Sequence, residues 1–318
     1  MAAGNATAII IAAYNAEATL AHAVHSALAE PETAEICIAD DASTDRTLAI
    51  AQELASTDAR IKIIPLASNG GPSIARNAAL AATRSPWITI LDADDYLLPG
   101  RLSRLHAIAN DADFIGDALI RTPTGVKPAW RPRSLVPNAL TLTDFLLGNL
   151  GDAKGALDLG FLKPLMRRSF LDTHAIKYRT EMRLGEDYEL YARALALGAR
   201  FVVCGEAGYV SVERQGSLSK DHSETDLQRL RDCDDAIAQL RPLSSAESTA
   251  LKRHWASVDR RLQWRRLISA VKTRDPASAL STFRSPDAAL YLCGKLAEQA
   301  WLRSTGRGPR ALSTEAAR

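Results

Sequence analysis

Two apolar rhythms alternate along the first hundred residues. Ala8-Ile9-Ile10-Ile11-Ala12 is a continuous apolar run, as expected of a strand covered on both faces. Leu20, Val24 and Leu28 then recur at every fourth position and mark one face of a helix. Ile36 to Ala39 reads as a second strand, and a helix carrying Leu48, Ala51 and Leu54 follows, with Ser43, Thr44 and Asp45 as its candidate caps. Ile61 to Ile64 is a third strand. Asn69-Gly70-Gly71 forms a turn, and Pro72 suits the first position of the next helix. Trp87 to Leu91 is a fourth strand, with a helix through Leu102, Leu105 and Ile108 beyond it.

Strand–helix alternation with short connections predicts an α/β fold, a parallel sheet with right-handed crossovers. From Gly116 to about Asp158 the periodicity fades and a long irregular insertion is expected. Order returns at Phe161 to Leu171, in a helix from Glu186 through Leu197, and in two strands, Arg200 to Cys204 and Tyr209 to Glu213. Beyond Glu224 the chain reads almost wholly helical.

Ligands of such sheets bind beyond the carboxyl ends of the strands, and the polar clusters fall there. Tyr14-Asn15 follows the first strand, Asp40-Asp41 the second, and Asp92-Ala93-Asp94-Asp95 the fourth. Three carboxylates within four residues repel one another unless a cation or hydrogen-bond donors compensate. A divalent ion with oxygen ligands, Mg²⁺ or Mn²⁺, would do so and would bring a diphosphate with it; a turn with a helix cap is the plainer alternative. Asp40 and Asp41 can accept from a ribose hydroxyl or a base N–H. A receiver-type phospho-acceptor pocket would need an aspartate after the third strand, where Pro65-Leu66-Ala67-Ser68 stands instead.

Taken in order, these segments resemble the family 2 glycosyltransferases over roughly Thr7 to Ser219. Ala13-Tyr14-Asn15-Ala16-Glu17 is similar to the family's opening motif. Asp40 to Asp45 is similar to its DDGSTD, with Ala42 in place of the usual glycine. Asn69 to Asn77 is similar to its N-x-G-x-x-x-ARN stretch, Asp92 to Asp95 to its DADD, and Gly185-Glu186-Asp187 to its later acidic signature. The resemblance implies the GT-A fold, a Rossmann-like, mostly parallel sheet flanked by helices. It implies that Asp41, with Asp40, contacts the nucleotide base, that Tyr14 and Glu17 line the nucleoside pocket, and that Arg76 faces the nucleotide. Asp92 would touch the ribose, Asp94 would bind the metal with Asp95 assisting, and Asp187 would be the general base with Glu186 as competing base or positioning residue. Arg214 and Ser217, in a loop that Gly216 lets move, would contact the diphosphate. Ala42 matters little unless its backbone takes a positive φ.

On this reading residues 1–223 form the catalytic domain, with a nucleotide-sugar half to about 115 and an acceptor half from 116, and residues 224–318 a helical extension. The implied activity is inverting, metal-dependent transfer of a hexose from a nucleotide sugar, UDP-linked by preference, to a saccharide hydroxyl. The resemblance is nearest to bacterial exopolysaccharide glucosyltransferases, and the implied acceptor is linked to polyprenyl diphosphate. The rival from another class is a non-catalytic scaffold of a glycan assembly complex. A sugar nucleotidyltransferase would carry an early Gly-rich basic loop, and none follows the first strand.

Charge adds one feature that the motifs do not. The net charge is +2, which excludes a uniformly basic nucleic-acid binder. It conceals 14 Lys/Arg against 5 Asp/Glu after residue 249, and 25 against 32 before it. Paired basics at Lys252-Arg253, Arg260-Arg261 and Arg265-Arg266 alternate with Trp255, Val258, Leu262, Trp264, Leu267 and Ile268. Such a helix either lies on an anionic membrane or packs its apolar stripe on the catalytic domain. Cys37, Cys204, Cys233 and Cys293 form no CxxC pair, so reduced thiols are expected. With no leader and no long apolar stretch, the expected location is the cytoplasm, with peripheral contact at the inner membrane.

Overall fold

A computed structural model of the chain describes residues 3–128, 130, 137–150, 159–213 and 222–305. The strands are β1 (Thr7–Ala13), β2 (Thr33–Asp40), β3 (Ile61–Pro65), β4 (Trp87–Ile90), β5 (Tyr96–Leu97), β6 (Phe114–Asp117), β7 (Ile120–Pro123), β8 (Asn138–Leu140), β9 (Leu165–Arg167), β10 (Phe201–Cys204) and β11 (Tyr209–Glu213). The helices that cover them are α1 (Leu20–Leu28), α2 (Thr47–Thr57), α3 (Pro72–Ala82), α4 (Arg101–His106), α5 (Leu142–Gly148), α6 (Arg168–Thr173) and α7 (Glu186–Ala196). The tail adds α8 (Glu224–Ala238), α9 (Ser245–Thr273), α10 (Pro276–Ser281) and α11 (Pro286–Ser304).

The main sheet runs β3-β2-β1-β4-β9-β6-β10-β8, and β5-β11-β7 form a small second sheet. The first four strands are mutually parallel. Pleating sends Ile9, Ile11, Ile36 and Ile38 to one face, under α1, α2 and α4. Ile10, Cys37 and Ala39 go to the other, under α3, α7 and the tail. The uninterrupted isoleucine run thus serves two cores.

Besides the edge strand β8, β9 runs against the rest of the main sheet. It pairs antiparallel with β4 on one side and β6 on the other. Its leading residues therefore lie at the carboxyl end of β4, where the acidic turn begins.

The stretch after Gly116 is more regular than its composition suggests. β7 pairs with β11 and β8 with β10, and α5 starts at a reciprocal Thr141–Asp144 capping box. These strands are only three or four residues long, too short to show a period. The second helix also starts later than its candidate caps. Its N-cap is Arg46, and Asp45 Oδ1 accepts instead from the Thr47 amide and hydroxyl.

The tail packs on the domain. α9 buries Ala250, Leu251, His254, Val258, Leu262 and Leu267 against α5 and α8. Its first half shares one core with Ile10, Ile88 and Tyr191. No helix among the described residues is long and apolar enough to cross a membrane. The four cysteines are unbridged; Cys37 and Cys233 are buried, Cys204 is half-buried and Cys293 is exposed.

Candidate active site

Strand ends β1, β2 and β4, the start of α3 and the start of α7 converge on one cleft. The β1 and β2 ends are stapled together first. Asn15 Oδ1 accepts from the Thr44 amide at 2.9 Å, and Glu17 Oε2 accepts from the Arg46 amide at 3.0 Å. Glu17 thus fastens two loops, while Tyr14 stands half exposed above them. Ala42, on the bend between, has φ +57°. The glycine that the family motif carries there would be unstrained, whereas a left-handed alanine costs about 1 kcal/mol.

The two adjacent aspartates divide their work. Both oxygens of Asp41 accept from backbone amides, those of Gly70 and Gly71, at 2.8 Å each. This shapes the turn into α3, where Gly71 takes φ +87°. Asp40 Oδ2 accepts from the Ser43 amide at 3.2 Å, but its Oδ1 is buried without a partner. Of the pair, Asp40 is the one with a carboxylate oxygen left to offer.

The acidic turn after β4 divides similarly. Asp95 is buried, its Oδ2 accepting from the Tyr209 hydroxyl at 2.9 Å and its Oδ1 from the Val212 amide at 2.8 Å. Burial, with the charge of Asp92 beside it, pushes its carboxyl up to about 7. Asp95 therefore anchors the turn to β11. Asp94 is half buried on the same turn.

Asp92 joins a ring of charge. Its Oδ1 pairs with Arg76 Nη2 at 2.9 Å and its Oδ2 with Lys163 Nζ at 3.1 Å. Asp187 completes the ring, its Oδ1 at 3.3 Å from Arg76 Nη1 and its Oδ2 at 2.7 Å from Lys163 Nζ. Glu186 adds a contact of 2.8 Å to Arg76 Nη1. Burial works against ionising Asp92, but Lys163 and Arg76 outweigh it and hold that carboxyl at about 2. Glu186 moves the other way: burial, reinforced by Asp187, raises it against the pull of Arg76.

Arg76 is no surface arginine. It is 5 % exposed, and the Tyr178 ring lies 5.3 Å from its guanidinium carbon. Asn77 clamps Tyr178 in turn, its amide donating to the Tyr178 carbonyl at 2.8 Å and its Oδ1 accepting from the Tyr178 amide at 2.9 Å. α7 enters the site through Gly185, whose φ is +69° and whose added Cβ would meet Leu230 Cδ1 of α8 at 2.6 Å.

Sequence reasoning missed Lys163 and Tyr178. Lys163 had a signal, as the one charge in the otherwise apolar run Leu159 to Met166. Tyr178 had none. Arg214, Gly216 and Ser217 lie outside the described residues.

A divalent ion would find no protein cage here, since the described residues contain no cluster of three or more His, Cys, Asp or Glu side chains able to hold one. The acidic turn fits an ion held partly by carboxylate oxygen and partly by the oxygens of an incoming diphosphate.

A mostly parallel sheet with an acidic turn at the β4 end and acids opening α7 is the layout of a GT-A glycosyltransferase, and comparison with known proteins agrees. The glycosyl transferase family 2 profile matches residues 8–173. The succinoglycan biosynthesis protein ExoU of Rhizobium meliloti (strain 1021) is 43% identical over 269 residues, 82% of this chain and 77% of that protein. ExoO of the same organism is 32% identical over 285 residues, covering 86% and 79%. Among solved structures, Staphylococcus aureus TarS 1-349 in complex with UDP-GlcNAc superimposes with TM-score 0.62 over 87% of this chain and 90% of that one, at 18% identity. The Pyrobaculum calidifontis mannosyltransferase PcManGT, in complex with GDP-Man and Mn2+, gives 0.55 over 95% and 83%, at 15%. The chain belongs to glycosyl transferase family 2.

Proposed function

We propose that this enzyme is an inverting, metal-dependent hexosyltransferase of exopolysaccharide assembly, using a UDP-sugar as donor. The observation that supports the reading is the meeting of the β4 turn with the start of α7, where Asp92 and Asp187 share Arg76 and Lys163; Asp94 lies on that turn and Asp40 closes β2 of the same sheet. The succinoglycan role of ExoU and ExoO supports the place in exopolysaccharide assembly, and the UDP-GlcNAc and Mn2+ complexes support the donor class and the ion.

Asp40 would accept from the base N–H, and Tyr14 would flank the nucleoside. Asp94 would hold Mg²⁺ or Mn²⁺, which when bound offsets charge on the departing diphosphate. The acceptor hydroxyl attacks the anomeric carbon from the side opposite the nucleotide. As the new C–O bond forms, the bond to phosphate breaks and the nucleoside diphosphate leaves with that electron pair. Asp187 takes the hydroxyl proton.

The acceptor is proposed to be a saccharide on a polyprenyl diphosphate at the cytoplasmic face of the inner membrane. Val271, Leu280, Leu290 and Trp301 are exposed on the tail, among exposed Lys272, Arg274 and Arg284. Replacing Leu290 and Trp301 by Ser should lower co-flotation with anionic vesicles by roughly tenfold. Unchanged flotation would remove the tail from that role.

Nucleotide sugars supplied one by one with Mn²⁺ test the enzyme reading through slow donor hydrolysis. A UDP-sugar should be hydrolysed fastest, and chelation should stop it. Absence of hydrolysis with every donor and acceptor would overturn the reading.

A further inference from the structure

Lys163 is the one member of the charged ring that no motif accounts for. It is 5 % exposed, so it is not a solvated lysine caught in a chance contact. Its backbone is fixed as tightly as its side chain. The Lys163 carbonyl accepts from Arg101 Nη2 at 2.6 Å and from the Thr89 hydroxyl at 3.3 Å. Arg101 is itself fully buried and paired with Asp117 through two nitrogens, at 2.6 and 3.2 Å. Thr89 belongs to β4 and Asp117 to β6, the two strands between which β9 runs. The main chain is thus held from both sides just where the ammonium reaches into the cleft.

The ammonium bridges the acid that ends β4 and the acid that opens α7. Arg76 bridges the same two, but its guanidinium is divided among Asp92, Glu186 and Asp187, and its contact to Asp187 is the longer one, 3.3 Å against 2.7 Å. With a cation on each oxygen, the Asp187 carboxylate cannot turn without breaking a contact. The charged groups that face it are Arg76 from α3, Asp92 from the β4 turn, Lys163 ahead of β9 and Glu186 beside it. Tyr178 and Tyr191 supply the neutral walls.

We propose that Lys163 is the positioning residue of the transfer reaction, orienting the Asp187 carboxylate so that it can receive the acceptor's proton. The proposal rests on Asp187 being the base. A lysine that only orients the base should act on turnover rather than on donor binding, and another cation of similar reach should replace it.

The test compares kcat, KM and donor affinity for wild type, Lys163→Gln and Lys163→Arg. Lys163→Gln keeps donors for the carboxylates but loses the ammonium, and kcat should fall by about 10²-fold with donor affinity near that of wild type. Lys163→Arg keeps a cation within reach of both acids and should recover most of that loss. A purely structural lysine would lower the folded fraction and leave kcat per folded molecule in place, and that result would overturn the proposal. An arginine variant as slow as the glutamine one would overturn it too. Should Lys163→Gln not fold, Lys163→Met takes its place with the same expected loss. If wild type hydrolyses no donor, the enzyme reading fails separately. The question then passes to the carboxyl ¹³C signal of Asp187 at one fixed pH, which should move in Lys163→Gln and return in Lys163→Arg; an unmoved signal overturns the proposal.

Discussion

Helix α7 carries a buried polar cluster on either side, and the two are built differently. Asp187 faces the ring of Arg76, Lys163 and Asp92. Tyr188, one residue on and about 100° round the helix, faces the tail. Its hydroxyl donates to Asp234 Oδ1 at 2.8 Å and lies 2.9 Å from His254 Nδ1, which is 2.7 Å from Asp234 Oδ2. The Tyr188 and His254 rings stack at 4.3 Å. The tail cluster is sealed, with all three residues no more than 5 % exposed. The ring is open at one corner, where the Asp92 side chain is 32 % exposed. A closed cluster fastens elements together. A charged cluster with an opening is arranged to meet something that arrives.

This contrast predicts that damage on the two sides should be felt in different measurements. Asp187→Asn should give the largest effect on the rate, a loss of transfer of about 10²–10⁴-fold, with donor affinity nearly unchanged. Steady-state transfer and donor titration check both halves. Tyr188→Phe should do the reverse. It leaves a buried oxygen of Asp234 without a donor and should cost about 1–3 kcal/mol in a denaturant titration, while the rate per folded molecule holds. If Tyr188→Phe lost transfer as severely as Asp187→Asn, the two sides of α7 would be one functional unit. The smallest effect lies outside both clusters. Ala42→Gly removes a left-handed alanine but adds chain entropy to the unfolded state. Thermal unfolding should show a gain of no more than about 1 kcal/mol, and a clear loss would mean that the Ala42 methyl makes a contact worth more than its strain.

Legibility in the sequence follows the same division. β1 to β4 were readable because each is a buried run next to strong turn chemistry, and the acids at their ends stood out against apolar neighbours. The ring was only half readable. Asp92, Arg76, Asp187 and Glu186 sit in motifs, but no local pattern says that Arg76 is buried or that Lys163 joins it. That juxtaposition depends on β9 entering the sheet reversed, a property of pairing rather than of any short window. β7 and β8 escaped because three or four residues carry too little periodicity. Asp40 and Asp41 are chemically alike in sequence, and only the approach of the Gly70 and Gly71 amides tells them apart. The packing of α9 was visible as one of two options, since the same stripe of Val258, Leu262 and Leu267 suits a protein core or a lipid surface.

The ring has one more consequence, for the encounter with substrate. A nucleotide sugar is an anion, and a cleft walled by Asp92, Glu186 and Asp187 would repel it if those acids stood alone. Arg76 and Lys163 neutralise most of that wall in advance. The approaching diphosphate therefore meets acids that are already paired along this wall, and the enzyme can hold them ready for chemistry without turning its own donor away at the door.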